Sequence, residues 1–463
     1  MNHNKTNETI SKSSTRLWDK GDDVDAVVHS FTVGNDPITD RAILEYDAIA
    51  SAAHARMLNK IGLLSDDEVK ALLTGLKDIH EKSVLGEFNI ARELEDCHTA
   101  IETYLVNQVG EAGYRIHTGR SRNDQVLVAM RLYLRHSLVE TCKLLCQFAN
   151  TCMEKSKRNF SAPMPGFTHM QAAMPSSVGM WLQAYAEWAL ETLSEGIHCI
   201  KFINTNPLGV GAGFGIPLWL DRNYTTELLA FDSVQRNPIA VQNSRGRFER
   251  KTTEWLRDVM SVLEKLSSDL ILYSMDAFGF FKIPTAFTTG SSIMPQKRNP
   301  DVLELLRAKA GLVRGASAEL GHVIDKLPSS YHRDFQCTKE PVIRCVTLTK
   351  ESLDVACRVV SGLEINIEKL NAAMSSDLYA TYDAYRKVRN GTPFREAYRE
   401  VALSLKHKEP DVSSLKCDFK IIEDITKAEM KQACDILSNL ESELHRLSNV
   451  FDTACESIFK LEN

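Results

Sequence analysis

The chain lacks a long apolar run, a surplus of basic residues and any paired-cysteine pattern. No stretch of its 463 residues approaches the roughly 20 apolar positions a membrane-spanning helix needs. Lysine and arginine number 55 against 61 acids, a formal charge of −6. That balance excludes a nucleic-acid binder relying on bulk electrostatics, while leaving room for a local patch that holds a small anion. The 11 cysteines include the close-set Cys142, Cys146 and Cys152, but no CxxC is matched by a second Cys or His cluster. Buried free thiols are therefore expected, with neither disulfides nor zinc. The first eighteen residues, MNHNKTNETISKSSTRLW, contain no apolar leader and no cleavage signature, so the expected location is the cytoplasm. Nucleotide and serine-hydrolase signatures are missing too. GVGAGFG (209–215) fails the GxGxxG spacing, because the last glycine would fall on Phe214 or Ile216, and neither GxxxxGK[ST] nor GxSxG occurs. A flexible or closely packed backbone turn is the better reading of that segment.

What is present is helical periodicity. From Asp124 onward, Leu127, Met130, Leu134, Leu138, Leu145, Phe148 and Cys152 recur at helical steps. Val178, Trp181, Leu182, Tyr185, Ala189 and Leu193 form a second stripe, and Leu256, Val259, Leu263, Leu266, Leu270 and Tyr273 a third. A fourth starts after Pro300, whose fixed φ suits a first helical turn, and runs through Leu303, Leu306 and Ala310. Segments of roughly 25–30 residues reach about 40 Å, and long stripes need long partners, so a bundle is the natural packing. Alternating β-branched runs are scarce. The fold class is mainly α, divided by its punctuation into 1–119, a long-helix region 120–369, and 370–463, where shorter amphipathic pieces surround NGTPF (390–394) and HKEPDVSS (407–414).

Polar islands interrupt the helices. HTGRSRNDQ (117–125) offers Arg120 and Arg122 as forked donors for carboxylates, with Asn123 or Asp124 as the cap of the next helix. PGFTHMQAAMP (165–175) sets Thr168 and His169 in a loop before a long helix, where an imidazole titrates near neutrality. GSSIMPQKRNP (290–300) places Ser291, Ser292, Lys297 and Asn299 ahead of a helix bearing Glu304. Hydroxyls, a cation and an amide suit proton abstraction beside a carboxylate, whose enolate-like intermediate Lys297 and Asn299 can neutralise. A serine serves as the base only if backbone amides, a helix N-terminus or a cation acidify its hydroxyl. The residues by themselves leave both the capping and the catalytic readings open.

Together these islands resemble the fumarase/aspartase superfamily and, within it, the argininosuccinate lyase branch. GSSIMPQKRNP looks like the superfamily signature, and HTGRSRNDQ is the branch-selective motif. EDCHTAIE (95–102), GFTHMQ (166–171), DLILYS (269–274) and GTPFREA (391–397) also match, over about Asp40 to Val401. The resemblance implies a three-domain subunit assembling into a homotetramer around a core of roughly twenty helices, with active sites shared between chains. It implies anti β-elimination of argininosuccinate to arginine and fumarate, needing no cofactor or metal and engaging neither nucleic acid nor membrane. Carried over position by position, Ser291 is the base and His169 belongs to the acid side. Lys297 and Asn299 hold the fumarate-side carboxylate, and Glu304 orients a neighbouring subunit's histidine. Arg122, Asn123, Thr168, Ser292, Tyr331, Gln336 and Lys339 are implied substrate contacts, with Asp96 a further member.

Three departures cluster at the substrate-end contacts. RLWDKGDD and FTVGNDPITD replace the family's usual opening, putting Asp36 near where a serine is expected. NSRGRFER (243–250) replaces an Asp-Arg pair, leaving Arg245 and Arg247 as alternatives. HRDFQ followed by Cys-Thr replaces Asn-Lys-Asp-Leu-Gln-Glu-Asp. Two alternatives stand beside the main reading: a lyase for another N-succinyl amine, and a crystallin-like structural protein that keeps the fold alone.

Overall fold

The computed structural model of the chain describes residues 25–404 and 412–460. The stretch RLWDKGDD and the start of HKEPDVSS lie outside them. Helices α1 (Ala26–Val33), α2 (Leu44–Lys60), α3 (Asp66–Val84) and α4 (Cys97–Val109) precede the bundle. The bundle is built from α5 (Arg122–Arg158), α6 (Val178–Ile203), α7 (Arg247–Ser274), α8 (Asp301–Ile324) and α9 (Lys339–Gly362). After it come α10 (Ala380–Arg389), α11 (Phe394–Ser404) and α12 (Val412–Ser457). Strands occur only as short pairs among the described residues. Three pairs matter for the site: β1 (Pro163–Thr168) with β2 (Gln171–Ser177), β3 (Phe281–Lys282) with β6 (Glu364–Ile365), and β4 (Thr289–Gly290) with β5 (Arg298–Asn299).

The four apolar stripes form helices and face inward. Every residue named in them is buried except Trp181, which is partly so. Helix α5 runs 37 residues, longer than its apolar pattern suggests, because both ends are well closed. Ser121 is its N-cap, in a capping box with Asp124, and Lys155, Lys157 and Arg158 meet the negative end of its dipole. The cap is thus Ser121, one turn earlier than Asn123 or Asp124. Helix α8 starts after Pro300 as expected, with Asp301 its first residue. The largest difference is at the C-terminus, where the 46 residues of α12 lie along α5 and α6 in place of a series of short pieces. Cys142, Cys146 and Cys152 are free and buried. No helix among the described residues is long and apolar enough to cross a membrane.

Bundle helices consecutive in the chain alternate in direction, so α5, α7 and α9 start at one end of the bundle and α6 and α8 at the other. At the latter end the β1–β2 turn, the β3–β6 pair and the close of α9 come together. Lys155 Nζ donates to Ser361 O at 3.0 Å, and the Phe167 and Phe278 rings meet at 5.8 Å. At the other end the start of α5 meets the segments 204–246 and 325–339. Arg131 and Arg135, both 2 % exposed, fasten it by donating to Thr205 O at 2.6 Å and Leu229 O at 2.9 Å. Arg131 also stacks on Phe248 with its guanidinium carbon 3.8 Å from the ring centre. A 37-residue helix separates the ends by about 55 Å at 1.5 Å per residue.

Candidate active site

The polar islands fall into two sets, one at each end of the bundle. At the start of α5, Arg122, Asn123, Tyr331, Gln336 and Lys339 line one cavity of about 160 Å³, together with Asp36, Asp40, Asp96, His98 and Arg245. Arg122 lies in the first turn of α5, where it donates to Thr99 Oγ1 at 2.7 Å and sits 3.3 Å from Asp96 and 3.5 Å from Glu95. Asp96 is the N-cap of α4 and accepts from the backbone and hydroxyl of Thr99 at 2.8 and 2.9 Å. Burial pushes the Asp96 carboxyl up, but His98, Arg122 and the Thr99 bonds hold it below the usual carboxylate range.

Lys339, at the start of α9, is 4 % exposed and is held by two carboxylates, Asp36 at 2.9 Å and Asp40. Burial works against its charge, yet Asp40 and Asp36 together raise its pKa. Asp36 goes the other way, pushed up to about 6 by burial, with the Asp40 charge adding and Lys339 only partly compensating. The two directions agree physically: Asp40 satisfies the ammonium first, and Asp36 is the second carboxylate on it. The lysine implied as a substrate contact therefore has its charge already matched. Gln336 Nε2 donates to Thr32 O at 3.1 Å and Val33 O at 3.0 Å, tying α1 across the cavity.

At the opposite end, Lys297, Asn299 and Glu304 line an open cleft of about 970 Å³. The serine island is a β-hairpin: Thr289 pairs with Asn299 and Gly290 with Arg298, presenting 291–297 as an exposed loop. Ser291 heads it, and its Oγ accepts from Met294 N at 3.1 Å and Ile293 N at 3.4 Å. Amide donors on a hydroxyl oxygen favour its ionised form. Ser292, Lys297 and Glu304 are exposed; the Glu304 backbone N–H donates to Pro300 O at 3.3 Å.

Thr168 and His169 also belong to this end but line neither cavity. They lie on a hairpin, not in a plain loop, with Thr168 paired to Gln171 so that His169 and Met170 form the two-residue turn. Their φ values are +52° and +60°. A turn with both central residues left-handed normally takes Asn-Gly or Gly-Gly, so the backbone carries strain while presenting an exposed imidazole.

The third glycine-rich island serves neither set directly. The backbone N–H groups of Gly209, Val210 and Gly211 all donate to Asp124 Oδ2, at 3.0, 3.0 and 2.9 Å. The closely packed turn is an anion nest whose anion is a side chain of α5. Two features escaped the sequence reading. One is His98, whose Nδ1 is hydrogen-bonded to the buried Asp47 at 2.7 Å. Burial opposes its charge, but Asp47 leaves its pKa raised. With Cys97 these form the one metal-ligand cluster among the described residues. A 2.7 Å contact is shorter than the roughly 3.3 Å between two donors around one zinc with ~2.0 Å bonds, so the pair reads as a hydrogen bond. The other is the choice left open at NSRGRFER: Arg245 is buried and lines the cavity. Arg247 is exposed and lies over Phe202, 5.3 Å from the ring centre.

One chain therefore carries a hairpin bearing a hydroxyl, a cation and an amide at one end and a mixed-charge cavity at the other. A small molecule cannot touch both across the length of α5.

A family model described as "Lyase" matches residues 20–315. The argininosuccinate lyase of Sorangium cellulosum is 42 % identical over 392 residues, 85 % of this chain and 91 % of that protein. That of Parabacteroides distasonis is 38 % identical, covering 84 % and 87 %. Among solved structures, EDDS lyase in complex with formate aligns with a TM-score of 0.79 at 21 % identity, over 94 % of this chain and 95 % of that one. The class II fumarase of Schistosoma mansoni gives 0.71 at 17 %, over 88 % and 94 %. These two show the shared long-helix fold. With the matches to the sequence over most of its length, they establish that the chain belongs to the argininosuccinate lyase family.

Proposed function

We propose that the protein cleaves argininosuccinate reversibly to arginine and fumarate, a step of arginine biosynthesis, by anti β-elimination. The ionised Ser291 Oγ takes the proton from the carbon next to the one bearing nitrogen. The freed C–H pair becomes the double bond of fumarate, the C–N bond breaks, and the leaving guanidinium nitrogen takes a proton on the His169 side. Lys297 and Asn299 meet the charge that builds on the neighbouring carboxylate in its aci-form. Glu304 orients the histidine of another chain. Arg122, Asn123, Thr168, Ser292, Tyr331, Gln336 and Lys339 hold the substrate, and closure of the 291–297 loop excludes water.

The observation that carries this reading is the separation of the two sets by the bundle's length. A complete site then needs the hairpin end of one chain against the cavity end of another, which antiparallel packing of subunits supplies. Helix α8 supports such an assembly. Leu305 and Leu312 are 59 % and 54 % exposed, and a Cβ added at Gly311 or Gly315 meets nothing within 4 Å. An outward apolar face on a central helix suits a homotetramer with closed symmetry. The location is the cytoplasm, and the subunit divides into three parts at 119/120 and 369/370.

The test is fumarate release, followed by ultraviolet absorbance, with argininosuccinate and adenylosuccinate offered separately. Release from argininosuccinate is expected; release from neither would sink the reading and shift weight to another N-succinyl amine or a crystallin-like role. Ser291→Ala and His169→Ala should each lower kcat by at least ~10². Mixing the two inactive variants should restore part of the activity through hybrid oligomers.

A further inference from the structure

Where α5 ends beside α12, four cations gather with little to balance them. Lys157, Arg158 and the turn 159–162 line an open cavity of about 360 Å³, together with Ile367 and Lys427. Among the described residues no carboxylate lines it. Neither the Lys157 nor the Arg158 side chain has an ion-pair partner among those residues, and that of Lys427 has only Glu423, 3.5 Å away on its own helix. Lys155, the fourth cation, donates to Ser361 O at 3.0 Å. Burial lowers its pKa and the Arg158 charge lowers it further, with Glu364 pulling less strongly the other way. Arg158 thus adds to a positive potential that Lys155 already feels.

Cations at a helix C-terminus ordinarily meet its last carbonyls and its dipole. Here Asn159 takes up the carbonyls. Its Nδ2 donates to Lys155 O at 2.7 Å and its backbone N–H to Ser156 O at 2.9 Å. The dipole amounts to about half an elementary charge, so two adjacent cations from α5 and a third from α12 exceed it. Like charges around one cavity repel, and water and salt only screen them. An anion in the cavity turns that repulsion into three attractions.

The donor set restricts which anion. A planar carboxylate is matched by one guanidinium fork, whereas ammonium groups act as point charges and suit an oxyanion with oxygens on several sides. Arg158 supplies the fork, Lys157 and Lys427 the point charges, and the exposed Ser161 a hydroxyl. A tetrahedral group with two negative charges can use all four.

We propose that this cavity binds a phosphoryl group, free or borne on a small metabolite, through Lys157, Arg158 and Lys427. None of its residues lines the substrate cavity or the serine cleft, so the site is additional to the elimination chemistry and does not rest on it. The turn 159–162 leads directly into β1, which ends at Thr168 beside His169. A bound phosphoryl group therefore fastens the foot of that hairpin to α12.

Calorimetric titration of the full chain with pyrophosphate, inorganic phosphate and succinate, at one fixed ionic strength, tests the site. Pyrophosphate should bind at least ~10-fold more tightly than succinate. Arg158→Gln and Lys427→Gln should each weaken it by about 10-fold or more, with partial rescue in Arg158→Lys. Lys297→Gln, which removes the cation of the serine cleft, should leave it unchanged. All three positions are exposed, and circular dichroism checks that each glutamine variant keeps its helices. ADP separates the two sources. Binding tighter than that of pyrophosphate assigns a phosphate ester whose organic part lies on Ile367; weaker binding assigns the free ion, and either upholds the site. No binding of pyrophosphate, or succinate binding as tightly, overturns the proposal. So does a loss of pyrophosphate binding in Lys297→Gln that the other two variants do not share, since the anion then sits in the serine cleft. Fumarate release from argininosuccinate tests the lyase reading separately, and its outcome leaves this one untouched.

Discussion

Replacing Asp124 by Asn tests how the first turn of α5 is held. One carboxylate oxygen accepts three backbone N–H groups from 209–211, and the other accepts Ser121 N at 2.7 Å. The loop can present those amides because Gly209 and Gly211 have φ of +91° and +61°, a conformation costly for residues with a Cβ. An asparagine has one oxygen for four donors. Turned to the loop, it sets its NH₂ against Ser121 N–H; turned the other way, it faces three N–H groups. The smaller loss is one buried donor left unpaired, about 1–3 kcal/mol, plus weakening of three bonds that no longer go to a charge. The sum is roughly 2–4 kcal/mol, and a chain of this length should lose a few degrees of thermal midpoint. Arg122 and Asn123 share that turn, so kcat/KM for argininosuccinate should also fall about tenfold through misplacement. Differential scanning fluorimetry and the fumarate assay read the two effects. An unchanged midpoint with unchanged kcat/KM would show that the nest does not position this end of the site.

Other perturbations follow from the same packing. In Gly196→Ala the new Cβ would lie 2.5 Å from the Trp255 ring and 2.7 Å from Cys142 Sγ. Trp255 cannot swing away freely, since its indole donates to Thr192 O at 2.8 Å. A loss of about 1–3 kcal/mol is expected, and an unaltered melt would refute it. The raised pKa of His98 makes the Asp47–His98 pair pH-sensitive. Its stabilisation is complete below the unfolded value near 6.5 and is lost as pH rises through the higher folded value. The midpoint difference between the unmodified protein and Asp47→Asn should therefore be largest in acid and shrink upward; a difference that grows with pH would contradict the pairing. Met170→Gly removes the left-handed strain at φ +60° and should stabilise the hairpin by about 0.5–1 kcal/mol, measured as a raised midpoint.

The sequence by itself determined the long helices, their inward faces and the polar islands between them. A stripe such as Leu127 to Cys152 records which side of one helix is buried, and that is local information. The unlike readings at Asp124 and at Lys339 show where locality ends. Asp124 reads as a cap and does accept Ser121 N, but its other oxygen takes three loop amides some 85 positions away. Lys339 reads as a free cation until Asp36 and Asp40, about 300 residues earlier, are seen on it. Arg245 and Arg247 differ by two positions on one loop-to-helix junction, and only packing put the first into the cavity and the second on the surface. The C-terminal helix was hidden because its face is completed by α5 and α6. What only the tertiary structure decided is which ends of the bundle the islands occupy. Chain direction along antiparallel helices, not residue type, sets Ser291 and Arg122 apart by the length of α5.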